Sequence, residues 1–293
     1  MAPTLTRCDA SFGAIVTGVD LKKSGDLPWA WLDAAFLDHA LLIFPGQHLS
    51  SDAQVAFAEH FGEIERLTPN PDLKAVPLSN VTRDGALADE ALDYVQVLRG
   101  NEGWHTDSSY MRLAAKASVL SAREVPNTGG ETEWADMRAA WAALDPQTKE
   151  RIEGLSAYHS LYHSQSKMGH QAKPGVGYGF HEEGEPLRPL VKTHPETGTK
   201  ALYIGRHAHD ILGLTPEASE ALLDELLDFA CQPPRTVTHA WQPGDVVVWD
   251  NRSLLHRARP YARDEPRHMV HVRVAGERET EWAEQTAPDR FAH

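Results

Sequence analysis

The chain is poor in cysteine, has no long apolar run and carries no excess of basic charge. Only Cys8 and Cys231 are present, far apart in sequence. That excludes a disulfide framework and a cysteine-based zinc ribbon, and it suits a reducing compartment. No segment approaches the roughly 18 consecutive apolar residues of a membrane span, and MAPTLTRCDASFGAIVTGVDL lacks the apolar core of a signal peptide. A cytoplasmic protein with no membrane partner is expected. The net charge is −14, so there is no general basic face for nucleic acid. A small anionic organic substrate is compatible with that charge if arginines gather locally. Internal repeats and low-complexity blocks are also missing.

What is present is a chain of 293 residues, 41% hydrophobic and 24% charged, long enough to bury a core without covalent staples. No linker divides it, so residues 1–293 are read as one domain, and a homo-oligomer is expected. AIVTGVDL (14–21), ALLIF (40–44) and KAVPLSNV (74–81) read as strands. Residues 28–39 and 52–61 read as helices, the second ended by Gly62. Residues 82–103 lack periodicity and read as a long loop of the kind that forms lids. KASVLSAREV (116–125) and ETEWAD (131–136) follow as strands, and Asp136 is placed to cap a helix over MRAAWAAL. Residues 164–186 read as a second long loop, rich in glycine and proline but without a nucleotide-binding spacing. PLRPLVKTH (186–194) and KALYIGRH (200–207) flank the turn PETG and read as a hairpin. Thr215 caps a helix that begins at Pro216 and has a leucine stripe. Four short strands close the chain. Many short strands, few helices and no βαβ rhythm predict a mainly β protein with surrounding helices, a sandwich or jelly roll.

The stretch GNEGWHTDSSYM (100–111) holds His105 and Asp107 two residues apart. On a strand such residues share a face, about 7 Å apart at the backbone, and Thr106 points away. Any one of the 16 histidines has a low prior of being a ligand, so pattern must choose. The best third ligand is His256, in GDVVVWDNRSLLHRARP. Two histidines and a carboxylate suit a non-heme iron(II) centre with three open positions; similar sets hold zinc with one. In RHMVHVRVA one face presents Arg267, Met269, His271 and Arg273. Arginine grips carboxylates through two hydrogen bonds, so this face suits an anion. Arg267 and Arg273 lie about 20 Å apart along an extended strand, far enough to serve different anions. Arg206, in YIGRHAH, is another candidate for a substrate carboxylate. Ser79 and Asn80 are candidates for the pocket wall as well as for strand-end hydrogen bonding. His159, His163, His170, His207 and His209 read as structural. Trp104 and Trp249, flanking the ligand segments, read as packing.

These residues in this order resemble the taurine dioxygenase family of Fe(II)/2-oxoglutarate-dependent oxygenases. The match is carried by His105-Thr106-Asp107, by Thr132 in GGETEWAD, by WDNRSLLHRA with His256, and by Arg267 eleven residues later. Within that family HALLIFPGQHLS, HSLYHSQSKMGH, PLRPLVKTHPETG and GRHAH are similar to the bacterial aryloxyalkanoate dioxygenases. The resemblance implies a double-stranded β-helix fold. It implies iron(II) held by His105, Asp107 and His256, 2-oxoglutarate held at its far carboxylate by Thr132 and Arg267, and dioxygen as co-reactant. It implies hydroxylation of the ether-bearing carbon of an aryloxyalkanoate, with release of a phenol. The taurine enzymes carry a second arginine four residues after the one matching Arg267; here that place holds His271, which puts taurine in doubt. An alkyl sulfate or sulfonate is the alternative substrate. A non-catalytic or zinc-bound jelly-roll binding protein is the alternative of another class. Because ligand histidines must be neutral, an ordinary histidine pKa of ~6.5 predicts weaker iron binding below about pH 6.

Overall fold

The computed structural model describes residues 2–292 apart from 69, 71, 83, 172, 176, 177 and 182. The N-terminal third contains strands β1 Thr4–Arg7, β2 Ala14–Thr17, β3 Leu41–Phe44 and β4 Val76–Ser79, with helices α1 Trp29–His39, α2 Ser51–Ala58 and α3 Asp93–Gly100. The middle contains β5 Ala115–Glu124, β6 Thr132–Asp136, α4 Met137–Ala143, α5 Pro146–Ile152, β7 Ser156–His159 and α6 Leu161–Ser166. There follow β8 Glu185–Pro189, β9 Val191–Thr193, β10 Lys200–Leu202, β11 Ala208–Ile211 and α7 Pro216–Ala230. The chain closes with β12 Thr236–His239, β13 Val246–Asp250, β14 Leu254–Ala258, β15 His268–Ala275, α8 Arg278–Glu281 and β16 Thr286–Ala287. No helix among the described residues is long and apolar enough to cross a membrane.

Seven strands form one sheet in the order β1-β2-β3-β13-β5-β15-β4, and β12-β6-β14 form a second. Strand alternation assigns the faces of the larger sheet. Val246 and Val248 of β13 and Val272 and Val274 of β15 pack with Phe36 of α1 and Phe57 of α2. The opposite residues, Val247, Trp249 and Met269, pack with Trp134 of β6, Val237 of β12 and Leu254 of β14. The two sheets therefore face each other, and α1 and α2 cover the outer side of the larger one. Ala135 and Leu255 point the other way from the smaller sheet, into a cluster with Met137 and Ala140 of α4 and Leu222 and Leu226 of α7. VVVWD is buried along its whole length because both of its neighbours and both of its faces are occupied, which explains an apolar run without alternation. Gln54 of α2 donates to the carbonyls of Val119 (3.0 Å) and Val270 (2.8 Å), which fixes that helix to the sheet.

Three expectations are corrected. The stretch 82–103 is not all loop: residues 93–100 form α3, a helix of eight residues, too short for helical periodicity to stand out. The stretch 164–186 begins inside α6, whose cap is the Ser160 hydroxyl accepting from the His163 amide, and ends in β8. Residues 83, 172, 176, 177 and 182 of these two stretches lie outside the described residues. The strand expected over 186–194 is broken at Leu190; β8 pairs with β7, and β9 pairs with β10. Pro189 has no amide to continue the first ladder.

Candidate metal centre

His105 and His256 are joined through the backbone before their side chains are considered. His105 N donates to His256 O at 3.0 Å and His256 N donates to His105 O at 2.7 Å. They form an isolated antiparallel bridge, and their rings lie 4.2 Å apart. Asp107 is not on the same regular strand as His105, contrary to the sequence expectation; residues 107–110 form a turn. The turn, not the pleat, brings the carboxylate round. The ligand-type atoms of His105, Asp107 and His256 all lie within 4.8 Å of one another, and all three residues are buried. Thr106 points away, its hydroxyl donating to Asn251 O at 2.7 Å.

The surroundings set the chemical state of each group. His105 Nδ1 lies 2.8 Å from Gly103 O. A carbonyl only accepts, so Nδ1 carries the proton and Nε2 keeps its lone pair. Burial pushes the His105 pKa down to about 4. Burial and the neighbouring His105 hold His256 well below 6.5. Burial alone would raise the Asp107 pKa, but Arg273 and His256 outweigh it and hold the carboxyl well below the usual range. Two neutral imidazoles and a carboxylate are thus presented together, a donor set that fits a divalent transition metal.

Two cavities share His105, Asp107, His271 and Arg273 in their walls. The smaller, of about 90 Å³, is also lined by Thr132 and Arg267. Arg267 is buried; among the described residues its side-chain hydrogen bond goes to the Gly130 carbonyl at 3.2 Å, and Nε has no partner. Gly130 has a φ of +71°, and a Cβ there would stand 3.2 Å from that Nε, so a glycine keeps the arginine's approach open. The Thr132 hydroxyl accepts from Trp241 Nε1 at 2.9 Å. An indole nitrogen only donates, so the threonine proton is free for another acceptor.

The larger cavity, of about 370 Å³, has an apolar wall that includes Tyr94, Val97, Leu98, Tyr110, Leu161 and Phe180. Arg206 stands in this wall. Its guanidinium donates to the carbonyls of Gly100 and Ser164, and no carboxylate among the described residues pairs with it. Burial pushes its pKa down to about 10, as it does for Arg267. A cation held largely out of water with no counter-charge, as Arg267 is and the half-buried Arg206 is in part, is costly unless an anion arrives.

Arg273 differs, since Asp107 accepts from its Nη2 at 2.7 Å. Ser79 and Asn80 lie off both cavities. The Ser79 hydroxyl donates to Val81 O at 3.2 Å. The Asn80 amide donates to Arg263 O and Glu265 O and accepts from the Arg267 amide. His207, read as structural, lines the larger cavity. Trp249 lines the smaller one and donates to Asn251 Oδ1 at 3.0 Å. Sequence reasoning missed Ser118, Asn251 and Trp241. Ser118 donates to Asp107 Oδ2 at 2.6 Å, and Asn251 donates to Ser118 at 2.9 Å.

Comparison with known proteins bears on this geometry. Residues 4–273 match the family described as taurine catabolism dioxygenase TauD, TfdA family. An (S)-phenoxypropionate/alpha-ketoglutarate-dioxygenase of Sphingobium herbicidovorans is 53% identical over 281 residues, covering 94% of this chain and 96% of that protein. A protein of the same description from Delftia acidovorans is 51% identical, covering 95% and 97%. The solved structure of AAD-2 in complex with Mn(II) and N-oxalylglycine superposes with a TM-score of 0.85 at 34% identity, covering 98% of this chain and 100% of that one.

Proposed function

This chain belongs to the taurine catabolism dioxygenase TauD, TfdA family, and from that premise we propose that it cleaves aryloxyalkanoates as an Fe(II)- and 2-oxoglutarate-dependent dioxygenase. The observation that carries the reading is the pair of arginines with no carboxylate partner among the described residues, the buried Arg267 lining one cavity and the half-buried Arg206 lining the other, with His105 and Asp107 lining both. Two anions are called for, one beside each arginine. The relatives named for (S)-phenoxypropionate support the choice of the second anion. The facing sheets are read as a double-stranded β-helix, and residues 1–293 as one domain.

In this reading His105, Asp107 and His256 hold the metal. Iron(II) bound there, with 2-oxoglutarate and dioxygen, supplies the oxidation that places a hydroxyl on a substrate C–H and yields succinate and carbon dioxide. Arg267 and the free proton of Thr132 hold the far carboxylate of 2-oxoglutarate. Arg206 takes the substrate carboxylate, and the aromatic ring lies against Tyr110, Leu161 and Phe180. A substrate anchored by its carboxylate has the adjacent, ether-bearing carbon fixed in position, which is the orientation a selective C–H oxidation requires. The apolar wall excludes water from the reacting centre. Hydroxylation at that carbon gives a hemiketal or hemiacetal, which falls apart to a phenol and a keto acid or glyoxylate.

The test is a panel of phenoxyacetate, the two enantiomers of 2-phenoxypropionate, an alkyl sulfate and taurine, each supplied with iron(II), 2-oxoglutarate and air. Succinate, phenol, sulfate and sulfite are measured. Phenol released together with succinate from a phenoxyalkanoate is the expected result. Succinate coupled to sulfate or sulfite, with no phenol, would move the substrate to the sulfur esters or sulfonates. No succinate with any member would remove the aryloxyalkanoate reading of the substrate, though not the oxygenase class.

A further inference from the structure

We infer that Arg273 is a positioning residue for the Asp107 carboxylate, not a substrate anchor, and that Glu65 and Tyr178 tie it to the wall of the larger cavity. The inference deepens the reading above and rests on Asp107 being a metal ligand. Asp107 sits in a turn, and the next residue, Ser108, has a φ of +54°, a conformation an L-residue adopts at a cost. Such a backbone does not by itself fix a carboxylate. The central sheet does. Arg273 of β15 and Ser118 of β5 are direct cross-strand partners. Arg273 Nη2 donates to Asp107 Oδ1 at 2.7 Å, and Ser118 Oγ donates to Oδ2 at 2.6 Å. One rigid pair on neighbouring strands therefore grips both oxygens of a carboxylate carried by a turn. Oδ2 is the oxygen nearer the second histidine, 3.8 Å from His256 Nε2.

Of the remaining donors of Arg273, Nη1 is used by this chain, while Nε has no hydrogen-bond partner among the described residues and only approaches a carboxylate. Nη1 donates to Ser108 Oγ at 2.8 Å, and Nε lies 3.8 Å from Glu65 Oε2. Ser108 in turn donates to Glu65 at 2.9 Å. Two carboxylates, Asp107 and Glu65, thus already face one guanidinium, and a substrate carboxylate would be a third. Arg206 has none, so charge separates the two arginines that the sequence left equivalent. Tyr178 donates its hydroxyl to Glu65, and its ring lies 5.5 Å from the Arg273 guanidinium. Tyr178 also lines the larger cavity. A ligand that moves Tyr178 therefore moves a partner of the group that orients Asp107.

The test uses Arg273→Gln, Arg273→Lys and Tyr178→Phe in the full chain. The readouts are the Co(II) dissociation constant, the visible spectrum of the Co(II) protein, and KM for 2-phenoxypropionate at saturating iron. Loss of an outer partner of a metal ligand typically weakens metal affinity about 10- to 100-fold. That is expected for Arg273→Gln, with a changed Co(II) spectrum, partial recovery in Arg273→Lys, and substrate KM within about threefold of wild type. Tyr178→Phe is expected to shift the spectrum in the same sense by a smaller amount. Unchanged Co(II) affinity and spectrum with a substrate KM raised tenfold or more would overturn the proposal and make Arg273 an anchor. If the glutamine variant does not fold, the lysine variant carries the same test, because it keeps the charge and loses the forked contact. Asp107→Ala separates the underlying reading: Co(II) affinity equal to wild type in that variant means that Asp107 is no ligand, whatever Arg273→Gln does.

Discussion

Arg206, Arg267 and Arg273 are all largely buried around His105, Asp107 and His256, and their partners tell them apart. Carbonyls face the first two; carboxylates face the third. The buried histidines carry a further consequence at this scale. Burial holds His105 at about 4 and keeps His159, His207 and His256 well below 6.5. In the unfolded chain the same groups titrate near ~6.5. Below that pH the unfolded state binds protons that the folded state refuses, so stability falls as pH drops from about 6.5 toward 4. Each such histidine costs up to about 1.4 kcal/mol per pH unit across that window. Urea denaturation of the metal-free protein between pH 7.5 and pH 5 should show this decline; a flat profile would contradict it. The same burial bears on the expectation drawn from an ordinary histidine. Burial lowers the pKa of both ligand histidines, so protons are expected to compete with a metal at a lower pH than for an ordinary histidine.

At the scale of elements, the sequence reveals what has a period or a cap. Thr215 followed by Pro216 marks the start of α7, where the Ala218 amide donates to the threonine hydroxyl. The alternation in β15 separates His271 and Arg273, which line the smaller cavity, from Val272 and Val274, which pack in the core; Arg267 stands one residue before the strand. The short pieces α3, α5, α6 and β7 were illegible, although α2 and α4, no longer than α3, were read. Two turns of helix establish no firm periodicity, so such pieces are read only when a neighbouring residue such as Gly62 or Asp136 marks an end. The partners of the site were illegible for another reason. Ser118, Asn251 and Trp241 carry no motif, and their contacts come from register between strands distant in sequence. The Ser118–Arg273 pairing, for example, exists only once β5 and β15 are aligned. Helix α3 supplies Tyr94, Val97 and Leu98 to the larger cavity. Val97 faces that cavity and not the smaller one. Val97→Ala removes two methyl groups from the wall, about 1.5 kcal/mol of apolar contact. It should raise KM for a phenoxyalkanoate roughly tenfold while leaving KM for 2-oxoglutarate unchanged. Steady-state kinetics with each substrate varied in turn checks this; equal changes in both constants would mean that α3 acts on the whole site.

At the scale of the molecule, two facing sheets leave a space that the chain divides around one backbone-paired couple, His105 and His256. The larger sheet contributes His271 and Arg273, with Arg267 just before its strand β15, and the smaller contributes Thr132 and His256. Arg206 enters from the segment between β10 and β11, outside both sheets, and it closes the larger cavity with α3 and α6. The two cavities share the walls around His105 and Asp107, but the arginines proposed for cosubstrate and substrate, Arg267 and Arg206, come from different parts of the fold, so in the proposed reading either can be removed alone. That separation is checked by equilibrium binding to the iron(II) protein without oxygen. 2-Oxoglutarate and 2-phenoxypropionate are titrated in turn into wild type, Arg267→Met and Arg206→Met. Arg267→Met is expected to lose 2-oxoglutarate affinity about a hundredfold, the roughly 3 kcal/mol of a buried charged pair, and to keep that for 2-phenoxypropionate. Arg206→Met is expected to show the converse. Loss of both ligands in each variant, or of neither, would contradict the account.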